Sequence, residues 1–223
     1  ISRAKELLED GYLETEVGYG LMQDGTSFAA TKVFMPDVTP EMIDWWFNWH
    51  PLEGLRYMIW CPVAHTDSSA KTPEAHKDTS GVPLSKRNID RVHYPVEGFN
   101  VKGAAPVEIA FRKLEILGIT PEMMEKSSMK TFEIATCIAL KPRIPINVFF
   151  HAVREVPGGI EFRSRYWINQ TVSRNKVQKS KVPLPKSLLL ATARNNCIHS
   201  LTEYNNLASI LPQLYHEQQG LIL

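Results

Sequence analysis

One long helical segment near the C-terminal end, preceded by a series of strand-like segments, most constrains the fold of this chain. The helix is predicted over residues 185–218, and Pro212 should kink it or end its regular part. Proline and glycine turns separate the upstream strands, which are predicted at 107–119, 131–140, 146–153 and 159–168. This order favours an α+β fold, in which the C-terminal helix closes a curved antiparallel sheet and leaves a cavity between them.

The first half of the chain supplies fewer regular elements. Residues 1–38 read as an N-terminal arm followed by strands, and Thr39 and Pro40 mark a helix start as its cap and first residue. Thr120 and Pro121 mark a second, short helix in the same way. A buried strand is predicted at Tyr57–Val63, and the polar stretch 66–91 is predicted to be a loop or lid. We expect a single domain over residues 1–223.

Composition restricts the partners and the compartment. The net charge of +1 gives no reason to expect a nucleic acid or an anionic membrane as partner. No apolar run reaches membrane-spanning length, and no signal-like segment is present; because the chain opens at Ile1 without a methionine, we expect the true N-terminus to lie upstream. The cysteines are three in number without paired spacing, which argues against disulfides and against a cysteine-rich zinc site. A soluble, cytoplasmic protein is therefore expected.

The strongest chemical signal is a histidine and a carboxylate on one helix face. His199 and Glu203 are one turn apart in the predicted C-terminal helix, so both can bind one metal ion from the same side. His65 follows the run Cys61-Pro62-Val63-Ala64, and Glu97 lies in a stretch where Pro95 predicts irregular backbone. Two histidines and two carboxylates would form a four-ligand shell for Zn²⁺ or a similar divalent ion.

Each of these residues also has a structural explanation. The His199–Glu203 pair is compatible with a surface ion pair, and His65 with a core histidine bonded to the backbone. Glu108, within a predicted strand, is the competing carboxylate to Glu97. The residues alone leave these alternatives open.

Aromatic and phenolic side chains complete the expected cavity. The cluster Trp45-Trp46-Phe47-Asn48-Trp49 indicates core packing, with one or two rings lining the pocket. Tyr57, His151 and Tyr166 stand on predicted central strands, where each would need a ligand or a backbone group as partner. The chain has no serine nucleophile elbow, phosphate loop or dinucleotide fingerprint, so any hydrolysis here would be metal-assisted.

An ordered set of motifs resembles the diacetylphloroglucinol hydrolase family, to which phloretin hydrolase also belongs. The resemblance spans almost the whole chain and is more specific than any one motif. It is carried by Thr39-Pro40-Glu41-Met42, Trp45-Trp46-Phe47, Arg56-Tyr57, Trp60-Cys61-Pro62-Val63-Ala64-His65, Glu97, the run Gly159-Ile160-Glu161-Phe162-Arg163-Ser164-Arg165-Tyr166-Trp167, and His199 to Glu203.

The resemblance implies a fold, a reaction and a set of site residues. The fold would be a helix-grip (Bet v 1-like) single catalytic domain, and the protein would be a homodimer. The reaction would be hydrolysis of the carbon–carbon bond between an acyl group and a phloroglucinol ring in a small phenolic ketone. By position, Zn²⁺ would be held by His65, Glu97, His199 and Glu203, with Glu97 preferred over Glu108, and Tyr57, His151 and Tyr166 would surround the substrate.

Two points keep other functions open. The family places an asparagine shortly after its first histidine, where this chain has Asp67 or Ser68, so one hydrogen bond in the pocket must differ. A helix-grip fold can also serve a small-molecule binding protein, since fold does not fix function. The second alternative is a metal-dependent hydrolase of another β-diketone or of an ester.

Overall fold

The computed structural model describes residues 1–68, 81–82 and 86–220. In this part of the chain, nine strands form the larger sheet and two form a separate ribbon. The strands are β1 (Gly18–Leu21), β2 (Ser27–Pro36), β3 (His65–Ser68), β4 (Val92–His93), β5 (Pro95–Glu97), β6 (Ala105–Phe111), β7 (Met129–Leu140), β8 (Arg143–Val156), β9 (Gly159–Ile168), β10 (Gln170–Ser173) and β11 (Lys176–Lys179).

The larger sheet is antiparallel throughout. Its strand order is β1-β2-β9-β8-β7-β6-β5-β3, and β4 pairs with β6; β10 and β11 form the ribbon. The strands predicted at 131–140, 146–153 and 159–168 are confirmed as β7, β8 and β9, and the turn at Gly158 has the positive φ of 82° that glycine tolerates. These three long neighbours form the centre of the sheet.

The described residues contain four α-helices, α1 (Pro40–Trp49), α2 (Gly54–Trp60), α3 (Pro121–Glu125) and α4 (Lys186–Gly220). Both predicted helix starts are confirmed, because the Thr39 and Thr120 side chains accept hydrogen bonds from the backbone N–H groups of Met42 and Met123, each at 3.3 Å. The long C-terminal helix is also confirmed, and together with the antiparallel sheet it gives an α+β fold.

The sequence predicted that Pro212 would kink α4 or end its regular part. It does not end the helix. The helix continues through it to Gly220. A proline removes one main-chain hydrogen bond, and here eight further helical residues follow the interruption. The helix packs against β1, β2 and β9. Its buried residues are Leu189, Ala193, Asn196, Cys197, Ser200, Glu203, Tyr204, Leu207 and Leu211.

The strand predicted at Tyr57–Val63 is wrong, because this segment forms the helix α2 and the turn after it. A short apolar run does not distinguish a buried strand from a helix by its periodicity. The burial pattern is helical: Tyr57 and Trp60 are buried, whereas Met58 and Ile59 between them are each 39% exposed. Tyr57 therefore reaches the interior from a helix and not from a central strand.

Three further boundaries differ from the prediction. The strand expected at 107–119 ends at Phe111, and a 3₁₀ helix follows at Leu114–Leu117, which ends at Gly118 in a left-handed conformation with φ of 71°. Glu97 was expected on irregular backbone, but it ends β5, where Pro95 occupies the first position of the strand. The loop or lid predicted at 66–91 begins as β3, and its residues 69–80 and 83–85 lie outside the described residues.

The aromatic cluster of α1 forms core, as predicted. Trp45, Trp46 and Phe47 are buried together with Trp60 of α2, and their rings contact one another in tilted and edge-on geometries. The three cysteines are buried free thiols. In the described part of the chain, we find no helix that is both long and apolar enough to span a membrane.

The N-terminal segment is anchored to the sheet by one carboxylate. After a 3₁₀ helix at Ala4–Leu8, the Glu16 side chain accepts hydrogen bonds from Arg163 at 2.6 and 3.1 Å and from Arg165 at 2.8 Å. Both arginines lie on β9 and are fully buried. Burial opposes ionisation of Glu16, but the two guanidinium groups outweigh it and lower the pKa to about 2.

Candidate metal centre and active site

A cavity lies between the central strands, helix α4 and the helices α1 and α2. Aromatic side chains form most of its wall, and histidines, carboxylates and amides are grouped at separate places along it. The lining residues on the helices are Phe47, Tyr57, Trp60, Asn196, His199, Glu203 and Tyr204, and those on the strands are Ser68, His93, Pro95, Glu97, Ile109, Phe111, Cys137, Asn147, Phe149, His151 and Tyr166.

Two histidines and two carboxylates converge at one side of this cavity. Glu203 Oε2 lies 3.5 Å from His65 Nε2 and 3.5 Å from His199 Nε2. Glu97 Oε2 lies 3.7 Å from His65 Nε2. Four donors bound tetrahedrally at about 2.0–2.1 Å from one Zn²⁺ ion would be about 3.3 Å apart. These three distances, two from His65 Nε2 and one from His199 Nε2, are therefore close to the spacing that such an ion requires.

Local structure brings these four residues together in two pairs. His65 and Glu97 are register partners across the β3–β5 ladder, and the N–H of Gly98 donates to the Ala64 carbonyl beside them at 3.1 Å. His199 and Glu203 lie one turn apart on α4, as the sequence predicted. One pair is thus held by the edge of the sheet and the other by the helix.

His65 is oriented as a metal ligand would be. Its ring is 0% exposed, and its Nδ1 lies 3.1 Å from the Tyr57 carbonyl oxygen, so that Nδ1 carries the proton and donates it. The Nε2 atom is buried and has no hydrogen-bond partner among the described residues. Burial lowers the pKa of His65, which favours the neutral imidazole that binds metals. A cation between Nε2 and the carboxylates would satisfy this atom.

The electrostatics of the cluster also favour a cation. Burial, together with the neighbouring Glu97 charge, raises the pKa of Glu203 to about 8, and His199 only partly offsets this. Burial likewise lowers the pKa of His199. A pKa of about 8 keeps Glu203 protonated at neutral pH beside neutral imidazoles, and a divalent ion would stabilise its ionised, metal-binding form.

Cys61 adds a sulfur atom to this cluster. Its Sγ, one ring nitrogen of His65 and one of His199 all lie within 4.8 Å of one another, so these three residues could also hold a metal ion. Burial and the charges of Glu203 and Glu97 raise the pKa of the thiol to about 12. Cys61 was not predicted as a ligand from the sequence, although its position four residues before His65 was the available signal.

The remaining predicted site residues line the same cavity. Tyr57 donates a short hydrogen bond to Glu97 Oε2, which links the phenol directly to the cluster. His151 is held at both nitrogens, with Nδ1 2.8 Å from the Ser164 hydroxyl and Nε2 3.1 Å from the Tyr204 hydroxyl. Burial lowers the pKa of His151 to about 3 and raises that of Tyr166 well above its usual range. At neutral pH both side chains are therefore uncharged.

Comparison with known proteins identifies the family of the chain. Residues 1–216 match the model described as the DAPG hydrolase PhiG domain. The chain belongs to the DAPG hydrolase family. Its relatives include 2,4-diacetylphloroglucinol hydrolases of Pseudomonas sp and Pseudomonas protegens, each 27% identical over 97% of this chain, covering 76% and 73% of those proteins. Phloretin hydrolase of Eubacterium ramulus is 27% identical over 91% of the chain and 72% of its own length.

Two residues that the sequence left as alternatives, Glu108 and Asp67, do not line the cavity of this DAPG hydrolase family member. Glu108 pairs with Arg143 in two hydrogen bonds of 2.8 and 2.9 Å and does not line the cavity, so the structure brings Glu97 and not Glu108 to the cluster. Of the two residues at the position of the family asparagine, Asp67 is exposed, whereas Ser68 lines the cavity and donates to the Pro51 carbonyl at 3.3 Å.

Tyr204 is a cavity residue that the sequence analysis missed. It is buried, follows Glu203 directly and contacts the His151 ring through its hydroxyl group. A large polar side chain within the buried face of α4 was the available signal, but tyrosines in that position also serve as ordinary core residues.

Proposed function

We propose that this protein is a zinc-dependent hydrolase that cleaves the carbon–carbon bond between an acyl group and a phloroglucinol-type ring. His65, Glu97, His199 and Glu203 would hold the metal, and Tyr57, His151 and Tyr166 would surround the substrate. The observation that carries the proposal is the buried, unpaired Nε2 of His65 facing two carboxylates inside an aromatic cavity. Family membership and relatives named as diacetylphloroglucinol and phloretin hydrolases supply the reaction class.

We further infer that the architecture is a helix-grip fold forming one catalytic domain. The antiparallel sheet with α4 packed on β1, β2 and β9 supports this reading. The homodimer and the cytoplasmic location implied by the family resemblance stay predictions.

The reaction requires the ring carbon to leave with the bonding electron pair. Phloroglucinol rings allow this because a phenol can tautomerise to a ketone, which makes the substrate a β-diketone. Water adds to the acyl carbonyl carbon, the bond to the ring carbon breaks, and the ring carbon takes up a proton. A carboxylic acid and a free phloroglucinol ring are formed. A bound Zn²⁺ ion would supply Lewis-acid polarisation of the substrate oxygens and acidify water.

The protein's own residues would position the ring and move the proton. Tyr166, a neutral phenol, can donate a hydrogen bond to a ring oxygen and favour the keto form, and Tyr57, whose O–H group donates to Glu97, can accept a hydrogen bond from a ring hydroxyl. The chain Ser164–His151–Tyr204 is a continuous line of neutral donors and acceptors. It can pass a proton towards the ring carbon without creating a buried charge at either end.

Replacing Tyr166 with phenylalanine should lower turnover without releasing the metal. We expect kcat to fall about 10- to 100-fold, or about 1.4–3 kcal/mol of transition-state stabilisation, because the phenol contacts substrate and not the ion. Metal content and steady-state rates of Tyr166→Phe check this. The matched control is Tyr215→Phe on α4, whose hydroxyl lies 3.3 Å from Glu41 outside the cavity. An unchanged rate in Tyr166→Phe would remove this residue from the chemistry.

Substitution of Cys61 distinguishes a ligand set of two histidines and two carboxylates from a set that includes the Cys61 thiol. If the ligands are the two histidines and two carboxylates, Cys61→Ser should keep stoichiometric zinc, and the Co²⁺-substituted protein should lack a thiolate-to-cobalt absorption band. Such a band in the unsubstituted protein, lost in Cys61→Ser, would assign the thiol as a ligand in place of a carboxylate.

The experiment that tests the proposed function is identification of the products. The protein is incubated with diacetylphloroglucinol, with phloretin and with a phenyl ester, and the released compounds are separated and identified. Ring release with the matching carboxylic acid supports carbon–carbon bond hydrolysis. Cleavage of the ester alone would redirect the proposal to an ester hydrolase. Tight binding with no product from any compound would indicate a binding protein.

A further inference from the structure

Two asparagines form a polar end to the aromatic cavity, and the proposed reaction does not use them. Asn147 lies on β8 and Asn196 on α4, and both line the cavity. Both side chains are buried, and Asn147 is only 4% exposed. Amides in such surroundings are costly unless each of their polar atoms has a partner.

Hydrogen bonds to the helix fix the orientation of both amides. Asn196 Nδ2 donates to the Thr192 carbonyl at 2.9 Å, so Asn196 presents its Oδ1 to the neighbouring strand. Asn147 Nδ2 donates to this Oδ1 at 3.2 Å. The remaining atom, Asn147 Oδ1, has no hydrogen-bond partner among the described residues. The unpaired atom is therefore an acceptor, which suits a ligand hydroxyl and does not suit an anion or an ether oxygen.

The position of this acceptor indicates which part of a substrate it meets. On β8, Asn147 and His151 are separated by Phe149 on the same face, which corresponds to about 13 Å along the strand. On α4, Asn196 lies about 12 Å from Tyr204, with His199 and Glu203 between them. Both elements therefore place the asparagine pair about 12–13 Å from His151 and Tyr204, and α4 carries the candidate metal ligands His199 and Glu203 in that interval.

This arrangement matches the parts of an acylphloroglucinol that carries a long acyl group. If the ring lies towards His151 and the acyl carbonyl lies beside the metal ligands, the acyl chain extends towards Asn147. An acetyl group ends close to its carbonyl and leaves the distant acceptor unpaired. An aryl-alkyl acyl group spans the interval and can place a hydroxyl there.

We propose that Asn147 Oδ1, oriented by Asn196, accepts a hydrogen bond from a hydroxyl group at the far end of the acyl side. The favoured substrates are then acylphloroglucinols whose acyl group carries a hydroxylated aromatic ring. Asn147 is a specificity-determining residue on this account, and the inference rests on the proposed function for the orientation of the substrate.

The test compares two ligands that differ by one hydroxyl group. One is phloretin, and the other is the same dihydrochalcone without the hydroxyl on its acyl-side ring. Dissociation constants are measured by stopped-flow tryptophan fluorescence before turnover, and kcat and KM by ring release, for the zinc-loaded protein and for zinc-loaded Asn147→Leu. We expect the unsubstituted protein to prefer phloretin about tenfold in Kd, and we expect the preference in Asn147→Leu to fall within about threefold.

Two further variants separate this effect from changes in packing or folding. Cys137→Ala alters the cavity wall at the register partner of Asn147 and should weaken both ligands equally, which preserves their ratio. Asn196→Ala leaves Asn147 in place but removes the bond that orients its amide, so the ratio should fall here as well. If Asn147→Leu does not fold, Asn196→Ala serves as the test variant in its place.

The outcomes separate the two proposals. An unchanged preference in Asn147→Leu and Asn196→Ala, or a ratio near one in the unsubstituted protein, overturns the role of Asn147 and leaves the hydrolase proposal standing. A preference that disappears in the variants, without ring release by any of the proteins, supports the role of Asn147 and overturns the hydrolase proposal. If neither ligand binds the unsubstituted protein, both proposals fail.

Discussion

His199→Ala should lose both its metal and its activity. His199 Nε2 lies 3.5 Å from Glu203 Oε2, and removing the imidazole takes away one of the nitrogen donors of the candidate centre. We expect ring release to fall at least about 10³-fold, or about 4 kcal/mol of transition-state stabilisation. Zinc content, measured by elemental analysis after exhaustive dialysis, should fall from about one per chain to near zero.

The same helix offers a matched control for this substitution. His216 lies on α4 but is exposed and outside the cavity. His216→Ala should retain zinc and activity within about twofold, since surface substitutions of this kind change little. Full activity of His199→Ala with no metal retained would contradict the metal-assisted mechanism. Full metal content in an inactive His199→Ala would move this residue from metal binding to substrate binding.

Glu16→Gln should destabilise the fold and flatten its response to acid. The carboxylate anchors the N-terminal segment to two buried guanidinium groups, and its side chain is 13% exposed. Its pKa falls from an ordinary 4.5 to about 2 in the folded protein. The stability that it contributes is therefore complete above about pH 4.5 and is lost as the pH falls towards 2. After allowance for screening by solvent, this contribution is about 2 kcal/mol.

At neutral pH, Glu16→Gln should lower the free energy of unfolding by more than this contribution of the carboxylate, because glutamine leaves the charges of Arg163 and Arg165 buried without a counter-ion. We expect the free energy of unfolding at pH 7 to fall by about 3–4 kcal/mol. Urea denaturation between pH 2 and pH 7 measures both effects. Glu14→Gln, an exposed neighbour, is the control and should leave the curve unchanged. Parallel acid profiles for the unsubstituted protein and Glu16→Gln would contradict the anchoring role.

Local sequence signals predicted much of the fold. Both Thr-Pro helix starts, the three central strands and the long C-terminal helix follow from residues close together in the chain, and all are confirmed. The Tyr57–Val63 error has the same local origin, because a seven-residue apolar run carries no length or flanking signal that separates strand from helix. In the helix, Tyr57 and Trp60 lie on one face and both join the core.

The candidate site was predictable to the extent that it is local. The spacing of His199 and Glu203 on one helix face can be read directly from the sequence. The pairing of His65 with Glu97 depends on strand register between segments 32 residues apart, and residue types alone left Glu108 as an equal candidate. The resemblance to the family favoured Glu97, because the spacing from His65 to Glu97 matches the family pattern. Cys61 and Tyr204 had only weak local signals in the sequence, and their contacts with the histidines form where separate elements pack together.

The most direct test of the central claim is ring release from phloretin and from diacetylphloroglucinol before and after chelation. The protein is assayed as purified, after removal of metal with a strong chelator, and after addition of Zn²⁺. We predict that release stops on chelation and returns when Zn²⁺ is added back, with the folded state preserved throughout by circular dichroism. Ring release that persists in the metal-free, folded protein would contradict the account.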